Sequence, residues 1–175
     1  APAADPAPTA LPEVEHYVAV SAGTRLRPVP LVPELSLYAA EDAYDVWELT
    51  NRATSDDDDT PVPFWSFPWP GGQALARYLL DNRDLVAGRR VLDLAAGSGL
   101  VGIAAASSGA ATVTTVDIDP FAAAAQTMNA AANEVRLEIV LADILDADAS
   151  GYDVVVAGDV CYEREFTDRI LGFLR

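Results

Sequence analysis

Lysine is missing from the sequence. All eleven basic residues are arginine, against 27 acidic ones, for a formal net charge of −16 over 175 residues. A field of that sign repels phosphate backbones and anionic lipid surfaces, which argues against nucleic acid and membrane as partners and favours a cationic group or a basic protein. Cysteine occurs once, at Cys161, so no intramolecular disulfide can form and a reducing, cytoplasmic setting is expected. No apolar run approaches the length of a membrane span, and no charged-then-apolar start suggests a secretory leader. No recognisable metal-ligand spacing is present, so no metal is expected. The lone histidine, His16, lies far from every motif below and is expected to be structural. Alanine richness with arginine in place of lysine suggests a GC-rich genome, whereas the acidity could also reflect adaptation to high salt.

The hydrophobic fraction of 51% is that of one globular domain with a substantial core. Residues 1–14 form a Pro/Ala-rich segment expected to be a disordered tail. Residues 15–70 read as an N-terminal extension. Within it, 16–38 holds short β-prone runs broken by Ser-Ala-Gly and three prolines, expected as small edge strands or an extended wrap. Residues 41–53 are expected to be helical. The four aspartates at 56–59 lack the alternation and glycine of a calcium loop and read as a solvated loop. From residue 71 to 175 helix and strand patterns alternate. Strands are expected at "RRVLDLA", "ATVTTVDID", "VRLEIVLAD" and "YDVVVAGD", each followed by a turn or helix. Such alternation implies an α/β, doubly wound, mainly parallel sheet with helices on both faces. The run "DVVVA" reads as a central strand buried on both sides.

"VLDLAAGSGLVG" (91–102) fits G-x-G-x-x-G through Gly97, Gly99 and Gly102, with Asp117 twenty positions after Gly97. Taken literally this is a dinucleotide-binding fingerprint. Asp93, four residues before the first glycine, opposes that reading. A pyrophosphate carries about two negative charges, and a carboxylate nearby costs on the order of a kilocalorie per mole or more. No lysine or arginine lies between residues 91 and 119 to compensate. S-adenosylmethionine, with its ammonium and sulfonium, suits Asp93, and its carboxylate suits the amides of the glycine turn. Asp93, Asp117, Asp143 and Asp159 follow the four expected strands, at the carboxyl ends where an open parallel sheet binds ligands. Asp117 suits ribose hydroxyls, and Asp143 could accept from an adenine amino group.

The segments "VLDLAAGSGLVGIAAA", "VTTVDIDPFAAAA", "LAD" and "VVVAGDVCYE" resemble the successive motifs of class I, seven-β-strand S-adenosylmethionine-dependent methyltransferases. Ala95 stands where that family's first motif usually has glycine. "TRLRPVPLVPELSLY", "PFWSFPWPGGQALARYLLDN" and "GDVCYERE" resemble, more narrowly, the electron-transfer flavoprotein β-subunit lysine methyltransferases and their bacterial relatives. The resemblance runs from residue 25 to 175 and implies a Rossmann-like core lacking the family's C-terminal strands. The open sheet edge implies a missing C-terminus, or a partner or oligomer covering it. It implies cofactor contacts from Trp69, Gly97, Ser98, Gly99, Asp117, Asp143 and Gly158, and catalytic roles for Asp159 and Tyr162 in an acidic-x-x-aromatic motif. Trp69 could instead be a packed member of a Trp65–Phe67–Trp69 cluster, and Tyr162 a core or rim tyrosine. Cys161 is expected to be a buried small side chain.

The function implied is N-methylation of lysine on a protein substrate, with Asp159 holding the amine and receiving or relaying its proton, and Tyr162 orienting it. The alternatives are a small-molecule amine N-methyltransferase, and a noncatalytic S-adenosylmethionine-binding or interaction module.

Overall fold

The computed structural model describes residues 12–53, 62–147 and 149–175. The tail expected at 1–14 thus falls outside the described residues as far as position 11, and the aspartate run at 56–59 does so entirely.

The chain enters through α1 (Val14–Gly23). The β-prone valines there had suggested an edge strand, and the structure corrects this. The Glu13 N–H donates to His16 Nδ1 at 2.9 Å, closing the first turn. The imidazole sits edge-on to Phe121 with centroids 4.7 Å apart, so His16 has the structural role expected of it. Ala19 and Val20 bury in one cluster with Val46, Phe121 and Ala125. The β propensity of 25–38 does materialise as an antiparallel hairpin of β1 (Arg25–Val29) and β2 (Val32–Ala39). Helix α2 (Ala43–Ala53) follows, as expected.

The core is a four-stranded parallel sheet of β3 (Arg90–Leu94), β4 (Thr112–Asp117), β5 (Glu138–Leu141) and β6 (Val154–Val156), in the order β5-β4-β3-β6. The chain therefore winds outward from β3 to β5 and returns to place β6 on the other side of β3. Strand order reverses between β3 and β6, and the crevice there opens at the carboxyl ends. Four helices complete the core: α3 (Pro70–Asp81), α4 (Leu100–Ser107), α5 (Pro120–Ala132) and α6 (Arg164–Phe173). Val156 packs with residues of α3 and α4, while Val155 packs with Ile170 of α6, so helices cover both faces. None of the described helices is long and apolar enough to cross a membrane.

The strand expected to be central, β6, has a neighbour on one edge among the described residues. From Val91 to Leu94, β3 is buried, whereas β6 is three residues long, half-buried at Val154 and Val155, and paired with β3 alone. Arg90 clamps its start: the backbone N–H and Nε donate to Asp153 Oδ2 at 2.9 and 3.1 Å, and Nη2 donates to Oδ1 at 2.9 Å. The paired guanidinium and amide hold the Asp153 carboxyl down at about 2. Apolar composition reports that a strand is covered on its faces; it does not report whether another strand lies along its edge.

Two amides, one on α5 and one at its C-cap, dock the hairpin. Asn133 Oδ1 accepts from Ser36 N–H at 2.9 Å while its Nδ2 donates to Ser36 C=O at 2.7 Å, as a neighbouring strand would. Asn129 Oδ1 accepts from Tyr38 N–H at 2.7 Å. The hairpin and its β2 residues Val32, Leu35 and Leu37 thereby lie against α3 and α4.

Candidate active site

The turn between β3 and α4 carries three left-handed residues in five: Ala95 (φ 52°), Gly97 (φ 51°) and Gly99 (φ 79°). Glycine adopts that region freely and alanine does not, so Ala95 explains locally why a glycine is the usual occupant. The third glycine serves packing. A Cβ at Gly102 would lie 2.7 Å from Thr115 Cγ2 and 3.1 Å from Asp93 Oδ2, so its absence lets α4 settle directly on β3 and β4.

Two α5 side chains fix the turn from behind. Gln126 Nε2 donates to Gly97 C=O at 3.1 Å, with its Oε1 accepting from Thr115 Oγ1 at 2.7 Å. Asn129 Nδ2 donates to Ser98 C=O at 2.9 Å. Both residues are fully buried. Neither was among the expected site residues. The signal was present, since amides at i and i+3 in an alanine stripe occupy one helix face.

The four strand-end aspartates converge on one cavity of about 910 Å³ at the carboxyl edge of the sheet, and each holds a different piece of backbone. Asp93 is buried beneath α4, where its Oδ2 accepts from Gly102 N–H at 2.7 Å. Burial pushes its carboxyl up to about 7, against the pull of that amide. Asp117 accepts from Gly97 N–H at 2.8 Å and from Asp119 N–H at 3.1 Å, and burial raises its carboxyl as well. Asp119 caps α5 through Phe121 N–H at 2.8 Å and, desolvated beside Asp117, is pushed up to about 6. Asp143 accepts from Leu145 N–H at 3.0 Å and pairs with Arg169 Nη2 at 2.9 Å; the amide and the guanidinium hold its carboxyl low.

Asp159 reaches furthest in sequence. Held at φ 57° after β6, it turns its carboxylate onto the N-terminus of α3, accepting from Gly71 N–H at 3.0 Å and from Gly72 N–H. It thus caps a helix 88 residues away, satisfying two of the amides that a helix start leaves unpaired. The "PGG" of α3 permits this: Pro70 opens the helix, and a Cβ on Gly71 would lie 2.6 Å from Asp159 Oδ1. Gly158 is equally constrained, since a Cβ there would lie 3.0 Å from Gly72 Cα.

Trp69 is the N-cap residue of α3, with its indole Nε1 donating to Phe64 C=O at 2.8 Å. The expected Trp65–Phe67–Trp69 cluster forms only in part. Trp69 meets Phe67 and Phe64 at centroid distances of 6.1 and 5.9 Å, while Trp65 buries elsewhere, stacked on Phe121. Tyr162 is neither packed in the core nor isolated. It is 64% exposed and sits between Phe64 and Phe166. Desolvation and the nearby carboxylates of Glu163 and Asp117 raise its phenol, which stays protonated at neutral pH. Cys161 is exposed, not buried, because the chain has left β6 and turned outward before reaching it.

Trp69, Asp93, Gly97, Ser98, Asp117, Asp143, Gly158, Asp159 and Tyr162 all line the cavity; Gly99 stands behind its wall against Gln126. The donor set discriminates between ligands. Among the described residues, six carboxylates line the cavity against a single arginine, Arg169, which is already paired with Asp143. Such a wall opposes a pyrophosphate and accommodates a ligand bearing cationic groups and hydroxyls.

The chain matches the family of ribosomal protein L11 methyltransferases (PrmA) over residues 73–160, half of its length. The human electron transfer flavoprotein beta subunit lysine methyltransferase is 44% identical over 114 residues, covering 65% of this chain and 44% of the relative. The Xenopus laevis protein of the same name is 37% identical over 147 residues, 83% and 58% of the two chains. A ribosomal protein L11 methyltransferase of Bordetella parapertussis is 38% identical over 128 residues, 73% and 37% of the two chains. The chain spans about half the length of these relatives. Among solved structures, a Pyrococcus horikoshii protein described as an RNA methyltransferase superimposes with a TM-score of 0.52 at 20% identity. It covers 65% of this chain and 58% of that one, a likeness of fold alone.

Proposed function

The chain belongs to the ribosomal protein L11 methyltransferase (PrmA) family, and from that premise we propose that it is an S-adenosylmethionine-dependent N-methyltransferase acting on lysine side chains of a protein. The observation that carries the reading is the cavity wall, six carboxylates gathered around a glycine turn with one paired arginine. The relatives named for lysine methylation support the choice of amine.

When bound, S-adenosylmethionine supplies a methyl group already activated by its sulfonium. The protein's part is to hold the cofactor and align a nucleophile. Asp93, raised to about 7 by burial, lies beneath the turn, where a cationic group draws it into its charged form. Asp117, fixed by two amides, presents its remaining lone pairs to ribose hydroxyls. Asp143 serves the adenine edge, with Arg169 holding it in place. Asp159 is oriented by Gly71 and Gly72, and each oxygen keeps a lone pair to accept from the substrate amine. Tyr162, protonated and exposed beside it, orients the amine through its hydroxyl or ring face. The net charge of −16 helps recruit a lysine-bearing protein. An exposed, unbridged Cys161 suits a reducing cytoplasm, and the Bordetella relative suits a bacterial source.

Radiolabelled methyl transfer to lysine-containing protein extract tests the proposal. Asp159→Asn is expected to lower transfer by about 10²-fold while cofactor affinity stays within threefold. Full transfer by that variant would remove Asp159 from the mechanism. Transfer to small amines but to no protein would favour the small-molecule alternative.

A further inference from the structure

Three exposed aromatic rings line the cavity, and a fourth, Phe166, lies partly buried beside them, packed on Leu94, Val160 and Ile170. Phe64 is 45% exposed, Trp69 43% and Tyr162 64%, and Phe166 continues the row from α6. Their order is Trp69, Phe64, Tyr162, Phe166, with successive centroids 5.9, 5.6 and 5.8 Å apart and interplanar angles of 59°, 39° and 44°. None of these pairs lies flush. The rings splay, so their faces are not used up on one another.

The row is built from two separate stretches. Phe64 opens a short 3-10 turn ahead of α3 and is tied to Trp69 by the indole hydrogen bond, while Tyr162 comes from the β6–α6 connection and Phe166 from the start of α6. The Asp159 cap on α3 joins the stretches and places a carboxylate beside the row, and Glu163 adds a second. Exposed rings bordered by carboxylates are a poor solution for packing, since each leaves apolar surface in water that burial would remove. They are a good solution for an alkylated cation, which is attracted to ring faces and loses little hydration on reaching them.

We propose that Phe64, Trp69, Tyr162 and Phe166 form a receptacle for a methylated lysine ammonium, with Phe64 and Phe166 as specificity-determining residues that make the site hold the side chain more firmly as methyl groups accumulate. This deepens the lysine reading and rests on it for the identity of the amine.

Equilibrium binding separates the two claims. The probes are Nε-trimethyl-lysine amide and its neutral carbon isostere, in which a tert-butyl group replaces trimethylammonium, titrated into the full chain by calorimetry or by quenching of tryptophan fluorescence. The cation is expected to bind several-fold to about tenfold more tightly than the isostere. Phe64→Leu and Phe166→Leu are each expected to bring that ratio toward one, and Phe64→Tyr to keep it. Equal binding of cation and isostere to the unaltered protein would overturn the receptacle, even if lysine methylation is observed. A preference for the cation that survives both leucine variants would overturn the assignment to these rings. A cation preference in a protein that transfers no methyl group would leave the receptacle standing and refute the enzymatic reading.

Discussion

Substituting Gly102 by alanine places a methyl group 2.7 Å from Thr115 Cγ2, 3.1 Å from Asp93 Oδ2 and 3.3 Å from Val113 Cγ1. Thr115 and Val113 are both buried on β4, which is held between β3 and β5, so the strand cannot give. Relief requires α4 to lift, which lengthens the 2.7 Å hydrogen bond from Gly102 N–H to Asp93. Overpacking of this kind costs about 1–3 kcal/mol, and weakening a buried hydrogen bond adds about 1 kcal/mol. Alanine's better helix propensity returns about 1 kcal/mol. The net expectation is a loss of about 2 kcal/mol, read as a fall in Tm of roughly 4–8 °C for a chain of this size. Gly172 in α6 is the control, because a Cβ there meets nothing within 4 Å. Gly172→Ala should be neutral or stabilising by up to about 1 kcal/mol. Calorimetric melting of the two variants decides the matter. A Gly102→Ala protein as stable as the parent would refute the packing role of the third glycine.

Three further outcomes follow from the site. Ala95→Gly relieves a left-handed alanine and should raise stability by up to about 1 kcal/mol in urea denaturation, the relief exceeding the entropy that glycine adds to the unfolded chain. Asp93, raised to about 7 in the folded protein, favours folding fully below its unfolded value near 3.9, and this contribution is lost as pH rises through 7. From this group the ligand-free protein should therefore lose up to about 4 kcal/mol across that window, Asp93→Asn should flatten the profile in part, leaving the same-sign losses of Asp117 and Asp119, and cofactor binding near pH 7 should release protons. An unchanged profile in the asparagine variant would place the titration elsewhere. Asn129→Ala unties both Tyr38 N–H and Ser98 C=O, so it should cost about 2–3 kcal/mol and raise the cofactor Kd. Hydrogen exchange should show the loss at β2 and the glycine turn together.

The core was legible because its signals are local. Strand and helix periods alternate from residue 71 onward, a glycine turn follows the first strand, and each strand leads into an aspartate. What those aspartates hold was not legible, because the partners are distant. Asp159 serves amides 87 and 88 positions away, and Asn129 bridges two segments 31 and 91 positions off. Helix α1 escaped because Val18 and Val20 favour strands, while the reciprocal Glu13–His16 turn and burial against Phe121 decide otherwise. The exposure of Cys161 depends on where the chain turns, which composition does not encode.

The central claim is that the glycine turn serves a cationic cofactor and not a pyrophosphate. Isothermal titration of the ligand-free protein with S-adenosylmethionine and, separately, with NAD tests it most directly. Saturable micromolar binding of S-adenosylmethionine with no heat from NAD is the expected result. Binding of NAD with none of S-adenosylmethionine would contradict the account.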